Sequence, residues 1–435
     1  MFHKRSIWRV LLILGGALVL WGFQQAAAQD ILNTKPFTTT SDPVIGYPFT
    51  FSPAPIDEIK PAVAYDPLHR EYLVVWQNGR SVTDDIYAQR ISEQGKLLSW
   101  FFVAEGNSPE LAFNPKNNTY LIVYDKWVST DYDVYARRVD FTGPLGSEFP
   151  IAFNLNETEH SPAVAYNTHP NYDEFLVVWE NIPPPPTTIN RVEGQRVAGT
   201  AGGGDGGGET IASRLPIAHN SDYNLDPDIA YNLNMNEFLV VFTRQPGGGG
   251  NYDVFGRRIT ANGVLLAEAS IDSSGNDQYN PSVAAYHLNQ TMPYLVVFND
   301  KWNDMAGDVR GYMVNQQGQP VLLINIAQTP GQREFDPTIS ESETWGGYLV
   351  SWVRGLSGNT DIFGMQVSNT GFTNPEFDLS KYGNTPTVCD RGQPDIAIGM
   401  STALGSWQDS CGSAGGVDIV GRMIGYRVYL PLVMR

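Results

Sequence analysis

Apolar positions along this chain do not recur at helical spacing. They fall in short dense runs of β-branched and aromatic residues: YLVVW from Tyr72, YLIVY from Tyr120, FLVVW from Phe175, FLVVF from Phe238, YLVVF from Tyr294 and YLVSW from Tyr348. Runs this short and this continuously apolar predict strands covered on both faces. Ahead of each stands a phrase opened by proline, as in PAVAY at Pro61, PELAF at Pro109, PAVAY at Pro162, PDIAY at Pro227, PSVAAY at Pro281, PTIS at Pro337 and PDIAI at Pro394. Behind each comes an alternating phrase: DDIYAQRISEQG from Asp84, DYDVYARRVDFTG from Asp131, NYDVFGRRITANG from Asn251, GDVRGYMVNQQG from Gly307, TDIFGMQVSNTG from Thr360 and VDIVGRMIG from Val417. RVEGQRVAG, from Arg191, is a degenerate copy. A weaker strand follows the closing glycine, ending for example at Ala152 or Ala327.

Successive prolines lie 48, 53, 65, 54, 56 and 57 residues apart. Four antiparallel strands in about fifty residues, repeated with no helical periodicity between them, are the blades of a β-propeller. The fold class expected is therefore all-β, a single seven-bladed propeller of four-stranded antiparallel blades. The seventh copy has little room for a fourth strand, and GYPFTF ahead of the first copy aligns with GSEFPIAF ahead of the third. Pro48 to Ser52 is expected to supply the missing outer strand, so that an N-terminal strand closes the ring and removes the free sheet edges.

Composition refines this. Lys4, Arg5 and Arg9 flank an apolar run from Val10 to Phe23, followed by Ala26-Ala27-Ala28, which reads as a signal peptide over residues 1–28. A membrane anchor is the alternative, though fourteen or so apolar residues fall short of the ~20 needed to span a bilayer. The domain order expected is signal peptide 1–28, lead segment 29–47, propeller 48–425 and a C-terminal tail 426–435. Removing the leader deletes three basic and no acidic side chains, taking the net charge from −18 to −21. Such a surface argues against nucleic acid and anionic lipid as partners. Cys389 and Cys411 both fall in the seventh unit and, in an oxidising compartment, are expected to form a disulfide.

The phrases PAVAY, YLVVW and DVYARRV resemble the propeller repeats of exported, poorly characterised bacterial surface proteins, over about residues 48–425. The resemblance implies a secreted or cell-surface bacterial address and attaches no reaction. The terminal YRVYLPLVMR, from Tyr426, is similar to short tails on some bacterial envelope proteins; it reads as a sorting element or as one more strand.

Motifs that would import an enzyme or a cofactor are missing. There are no Ser-x-Asp-x-Gly-x-Thr-Trp turns, no Gly-His…Trp-Asp pairs, no phosphate loop, no zinc pair and no Gly-x-Ser-x-Gly elbow. No cofactor and no metal are expected, with calcium as the alternative. The nearest approach to a calcium loop is STDYDV, with Asp131 and Asp133, which lacks a third acid and the glycine. The Asp opening most third strands (Asp85, Asp133, Asp253, Asp308, Asp361 and Asp418) is expected to accept from backbone donors of the preceding turn. The arginines of the same strands are expected to stack on aromatics of the adjacent blade.

Function is sought where the copies diverge, just after the apolar runs. These positions hold Asp125, Trp127, Glu180, Arg244, Asp300, Trp302, Arg354 and Asp409, expected to ring one mouth of the channel and bind a ligand. Aromatics among charged and amide groups suit a carbohydrate, which offers apolar faces and hydroxyls; a polar loop face with two partly buried tryptophans is the plainer explanation. The expected role is a non-catalytic binding or scaffold module for a polysaccharide or a cell-surface protein. The alternative is a carbohydrate-active enzyme, a glycoside hydrolase or lyase, using Asp125, Glu180 and Asp300. The third copy departs most, carrying NIPPPPTTIN from Asn181 and a glycine tract from Gly199, which read as surface insertions or as a contact arm.

Overall fold

The computed structural model describes residues 44–51, 57–79, 84–153, 156–187, 189–200, 210–301, 307–381, 388–411 and 416–425. The proposed leader, Trp302 and the tail 426–435 lie outside them. All the named elements are strands, gathered into seven antiparallel sheets. The first blade illustrates the order from axis to rim: Glu58–Asp66, Glu71–Asn78, Asp85–Ser92 and Leu97–Glu105. Five further blades repeat it in sequence, and the inner strands pack one against the next around the ring, the seventh against the first.

The seventh blade has Arg391–Ile398, Thr402–Asp409 and Asp418–Gly425 from the C-terminal part of the chain. Its rim comes from the N-terminal part: Phe49–Thr50 pairs with Val420 and Gly421, as the alignment predicts, and a further pair, Val44–Ile45, continues the edge. A Cβ at Gly421 would stand 2.5 Å from the Phe51 ring, so only glycine lets the closing strand lie flat. Cys389 and Cys411 form a disulfide that ties the lead into the inner strand to the loop after the second.

The apolar second strands are buried along their length, as their composition predicts. In four blades an aromatic of the second strand stacks on one of the third: Trp76 with Tyr87, Phe242 with Phe255, Phe298 with Tyr312 and Trp352 with Phe363. The degenerate third blade puts Glu193 opposite Trp179. There Arg214 from the outer strand lies over the Trp179 ring at 5.5 Å and pairs with Glu193 at 3.4 Å, replacing ring-on-ring packing.

Two expectations about repeated residues change. Arg90 does sit over Phe141 of the next blade, at 5.9 Å. Arg137, Arg257 and Arg422 instead donate to the carbonyls of Val103, Ile217 and Leu379 in the preceding blade's rim, stapling blade to blade through the backbone. Asp361 accepts from Ser380 of its own blade and from Arg391 of the next, rather than from the turn before it.

Candidate functional site

The inner strands carry the feature that positions the site. In every blade the residue before the proline, Lys60, Ser108, Ser161, Asp226, Asn280, Asp336 or Gln393, has φ between 45° and 54°. The inner strand slips register there against the second strand, a β-bulge in each blade. Left-handed backbone at a non-glycine residue costs on the order of 1–3 kcal/mol and persists only where surrounding structure imposes it. Proline suits the next place because it has no N–H to lose from the ladder.

The bulge turns seven side chains onto the wall of a central cavity of about 670 Å³. The residues just after the prolines, including Glu110, Asp228, Ser282, Thr338 and Asp395, line it as well. Lys60 donates to Ser108 Oγ at 2.7 Å and Asn280 donates to Asp336 at 3.2 Å. Asp228 accepts the Val283 amide of the next blade at 2.8 Å and the Ser282 hydroxyl at 3.0 Å. Asp395 likewise accepts the Val63 amide at 2.7 Å and the Thr338 hydroxyl at 2.9 Å. Among the described residues Glu110 has no such anchor. It is exposed to the solvent of the channel, but its enclosure by the surrounding wall raises its carboxyl above the usual range, and the charges of Asp395 and Asp228 add to this. Burial also pushes Asp395 up to about 6 and raises Asp226 and Asp336.

Behind this ring the predicted site residues divide into two groups. Asp125 and Glu180 lie opposite Asn107 and His160, in the row next to the bulge. Asp125 is 6% exposed. Burial pushes it up to about 6, while Lys60 and the Ser108 hydroxyl pull the other way. Glu180 accepts from Asn190 and from the Asp226 amide at 3.5 Å, and burial takes it to about 7. Trp127 is 37% exposed and meets Tyr132 edge to face, centroids 5.0 Å apart.

The other four stand one residue further along their strands, so they point through the opposite face of the sheet. There they are held in buried ion pairs. Arg244 donates to Asn224 at 2.9 Å, grips Glu268 and lies 4.1 Å over Phe255. Asp300, fully buried, takes Gln278 at 3.1 Å and Arg310. Arg354 joins Glu334 at 2.8 Å to Glu376 at 2.6 Å, and Asp409 holds Arg391 at 2.9 Å. The seven expected residues that are described are thus not brought into one ring. Asp131 and Asp133, the nearest approach to a calcium loop, lie within the strand Asp131–Asp140.

The pre-proline ring itself was missed. The signal was present: seven copies keep the proline and change the residue before it.

Fold and site together define a seven-bladed β-propeller with a polar central channel. No family model and no curated protein matches the chain. Among solved structures it is similar to Kuenenia stuttgartiensis hydrazine synthase, at 11% identity and TM-score 0.50 over 86% of this chain and 98% of that one. It is also similar to the Dos1 propeller, at 11% identity and TM-score 0.44 over 88% and 95%, and to the Hadza microbial sialidase Hz136, at 12% and 0.47 over 81% and 76%. At these identities the likeness is one of fold alone.

Proposed function

We propose that this is a secreted or cell-surface bacterial propeller that binds a polysaccharide or a surface protein over its central channel without transforming it. The observation that supports this is the pre-proline ring. The bulge and the proline repeat in all seven blades, while the side chain presented runs Lys, Ser, Ser, Asp, Asn, Asp, Gln. A position needed only for folding would repeat with the scaffold; a position that reads a ligand is free to differ. Asp228 and Asp395 are fixed by amides and hydroxyls of neighbouring strands, which suits preorganised acceptors better than groups that trade protons. No cofactor enters this reading. Export rests on the leader-like residues 1–28, and the disulfide is compatible with it.

One observation favours the enzymatic alternative. Glu110 is a raised carboxyl facing the channel near two other acids, the setting of a general acid in glycoside cleavage. Asp300, tied to Arg310, fits that role poorly. The test is incubation with a panel of bacterial and plant polysaccharides, scoring retention and released reducing ends together. Retention without release supports binding alone. Release that disappears in Glu110→Gln would replace that conclusion with an enzymatic one, and no retention of any polysaccharide would leave a protein partner.

A further inference from the structure

Blade 1 exposes aromatic rings at a rim position that most other blades keep charged. The rim residue just before the partner of the small third-strand residue is Glu148, Arg214, Glu268 and Glu376 in blades 2, 3, 4 and 6. Each is held in an ion pair, with Lys126, Glu159, Arg244 and Arg354 respectively. Blade 5 has Leu323 there. Blade 1 has Trp100, 65% exposed, and Phe102 two residues on is 43% exposed.

These two rings are the open end of an aromatic column. Both meet Tyr87, with centroids 5.8 and 5.7 Å away. Tyr87 stacks on Trp76 at 6.3 Å, and Trp76 on Phe51 at 6.4 Å. Phe51 follows the closing strand Phe49–Thr50, and it packs with Phe49, Met423 and Ile419 of blade 7. The column is therefore the seam between the last blade and the first, and its outer end is uncovered. Strand Leu97–Glu105 is also the outermost of its sheet, so one row of its backbone groups has no neighbouring strand among those described. A contiguous aromatic patch on a strand edge marks a surface that something covers, whereas single exposed apolar residues need no such account.

The chain leaves blade 7 beside this patch. Gly425, the last described residue, pairs with Thr402, whose hydroxyl donates to the Glu93 carbonyl at 2.9 Å. Met423 lies against Gly95, where an added Cβ would meet it at 2.8 Å. Glu93 and Gly95 belong to the turn that leads into Leu97–Glu105. The ten residues that follow Gly425, YRVYLPLVMR, hold seven apolar side chains, a proline and two arginines, with no acid. Extended, they span up to about 33 Å, and Phe102 lies seven residues, about 23 Å of strand, beyond Gly95. Their two cations suit a chain whose net charge is −18. Tethering at Gly425 also gives this segment a millimolar effective concentration, an advantage that a second copy of the chain lacks.

We infer that residues 426–435 turn back along the blade 1 rim and pack their apolar side chains on Trp100 and Phe102, covering the seam where the ring closes. The inference is independent of any ligand in the channel.

Hydroxyl-radical footprinting of the full chain, read by mass spectrometry, tests it, with Trp127 as the internal reference. In the propeller body Trp100 is 65% exposed against 37% for Trp127. With the tail in place the order should invert, Trp100 reacting more slowly than Trp127, and dilution of the protein should not change this. A chain stopped after Gly425 should oxidise severalfold faster at Trp100 and no faster at Trp127. Trp100→Glu combined with Phe102→Ser, which gives blade 1 the rim residues of blade 4, should raise oxidation of Met434 severalfold in the full chain without lowering the melting temperature of the body. Should the shortened chain unfold, Trp127 reports it and the double variant decides. Trp100 reacting faster than Trp127 in the full chain, with no change on shortening, overturns the inference. Protection of Trp100 that survives shortening and fades on dilution puts a second copy on this face and overturns it as well.

Discussion

Asp395 of the last blade accepts the backbone amide of Val63 in the first, at 2.7 Å, so the ring is closed at its axis as well as at its rim. The same carboxylate holds the Thr338 hydroxyl of blade 6, and one side chain therefore joins three blades. Asp395→Ala should lower stability by about 1–3 kcal/mol for each donor left buried and unpaired. Asp395→Asn, which keeps one carbonyl oxygen, should lose less. Denaturant unfolding of the two variants checks the order, and equal losses would argue against the closure role.

Arg354 belongs to the scaffold. It neutralises Glu334, which is 1% exposed, and bridges it to Glu376. Arg354→Ala leaves a buried carboxylate without its cation, at a cost of about 3–5 kcal/mol. Polysaccharide affinity, measured where the variant is still folded, should not change. A loss of affinity with intact stability would return Arg354 to the ligand site.

Stability should fall as pH rises from 5 to 8. Burial holds Glu341 and Glu159 at about 8 and Glu180 at about 7 in the folded chain, against 4.5 for an ordinary glutamate. Over that window the unfolded chain has released these protons and the folded chain retains them, so raising pH favours unfolding. His160, lowered by burial and then by Lys60, acts the other way below its ordinary 6.5, but it is one group against three. Melting temperature against pH at fixed ionic strength tests this. Glu341→Gln should flatten the slope and melt higher at pH 8.

The left-handed bulge is tested at Ser161, whose φ is 52°. Ser161→Val forces a β-branched residue into this region and should cost on the order of 1–3 kcal/mol. Ser161→Gly should cost nothing or stabilise slightly, since glycine adopts this conformation freely. If both variants melt alike, the strain is not carried where the backbone places it.

The blade count, the strand order and the closing N-terminal strand were legible in the sequence because they depend on local patterns repeated seven times. A run such as FLVVW makes a covered strand wherever it falls, and a copy short of one strand demands another from the opposite end of the chain. The site was less legible. Asp125 and Glu180 lie beside the channel wall while Arg244, Asp300, Arg354 and Asp409 face away from it into ion pairs, although all six follow the same apolar motif. One residue of register decides the face, and the apolar runs are covered on both sides, so they carry no alternation from which register can be read. The bulge before each proline then resets the parity of the inner strand. Only the tertiary structure shows that this slip, repeated in a closed ring, gathers seven unlike side chains around one axis, because their meeting depends on pairings between residues more than three hundred positions apart, such as Asp395 with Val63.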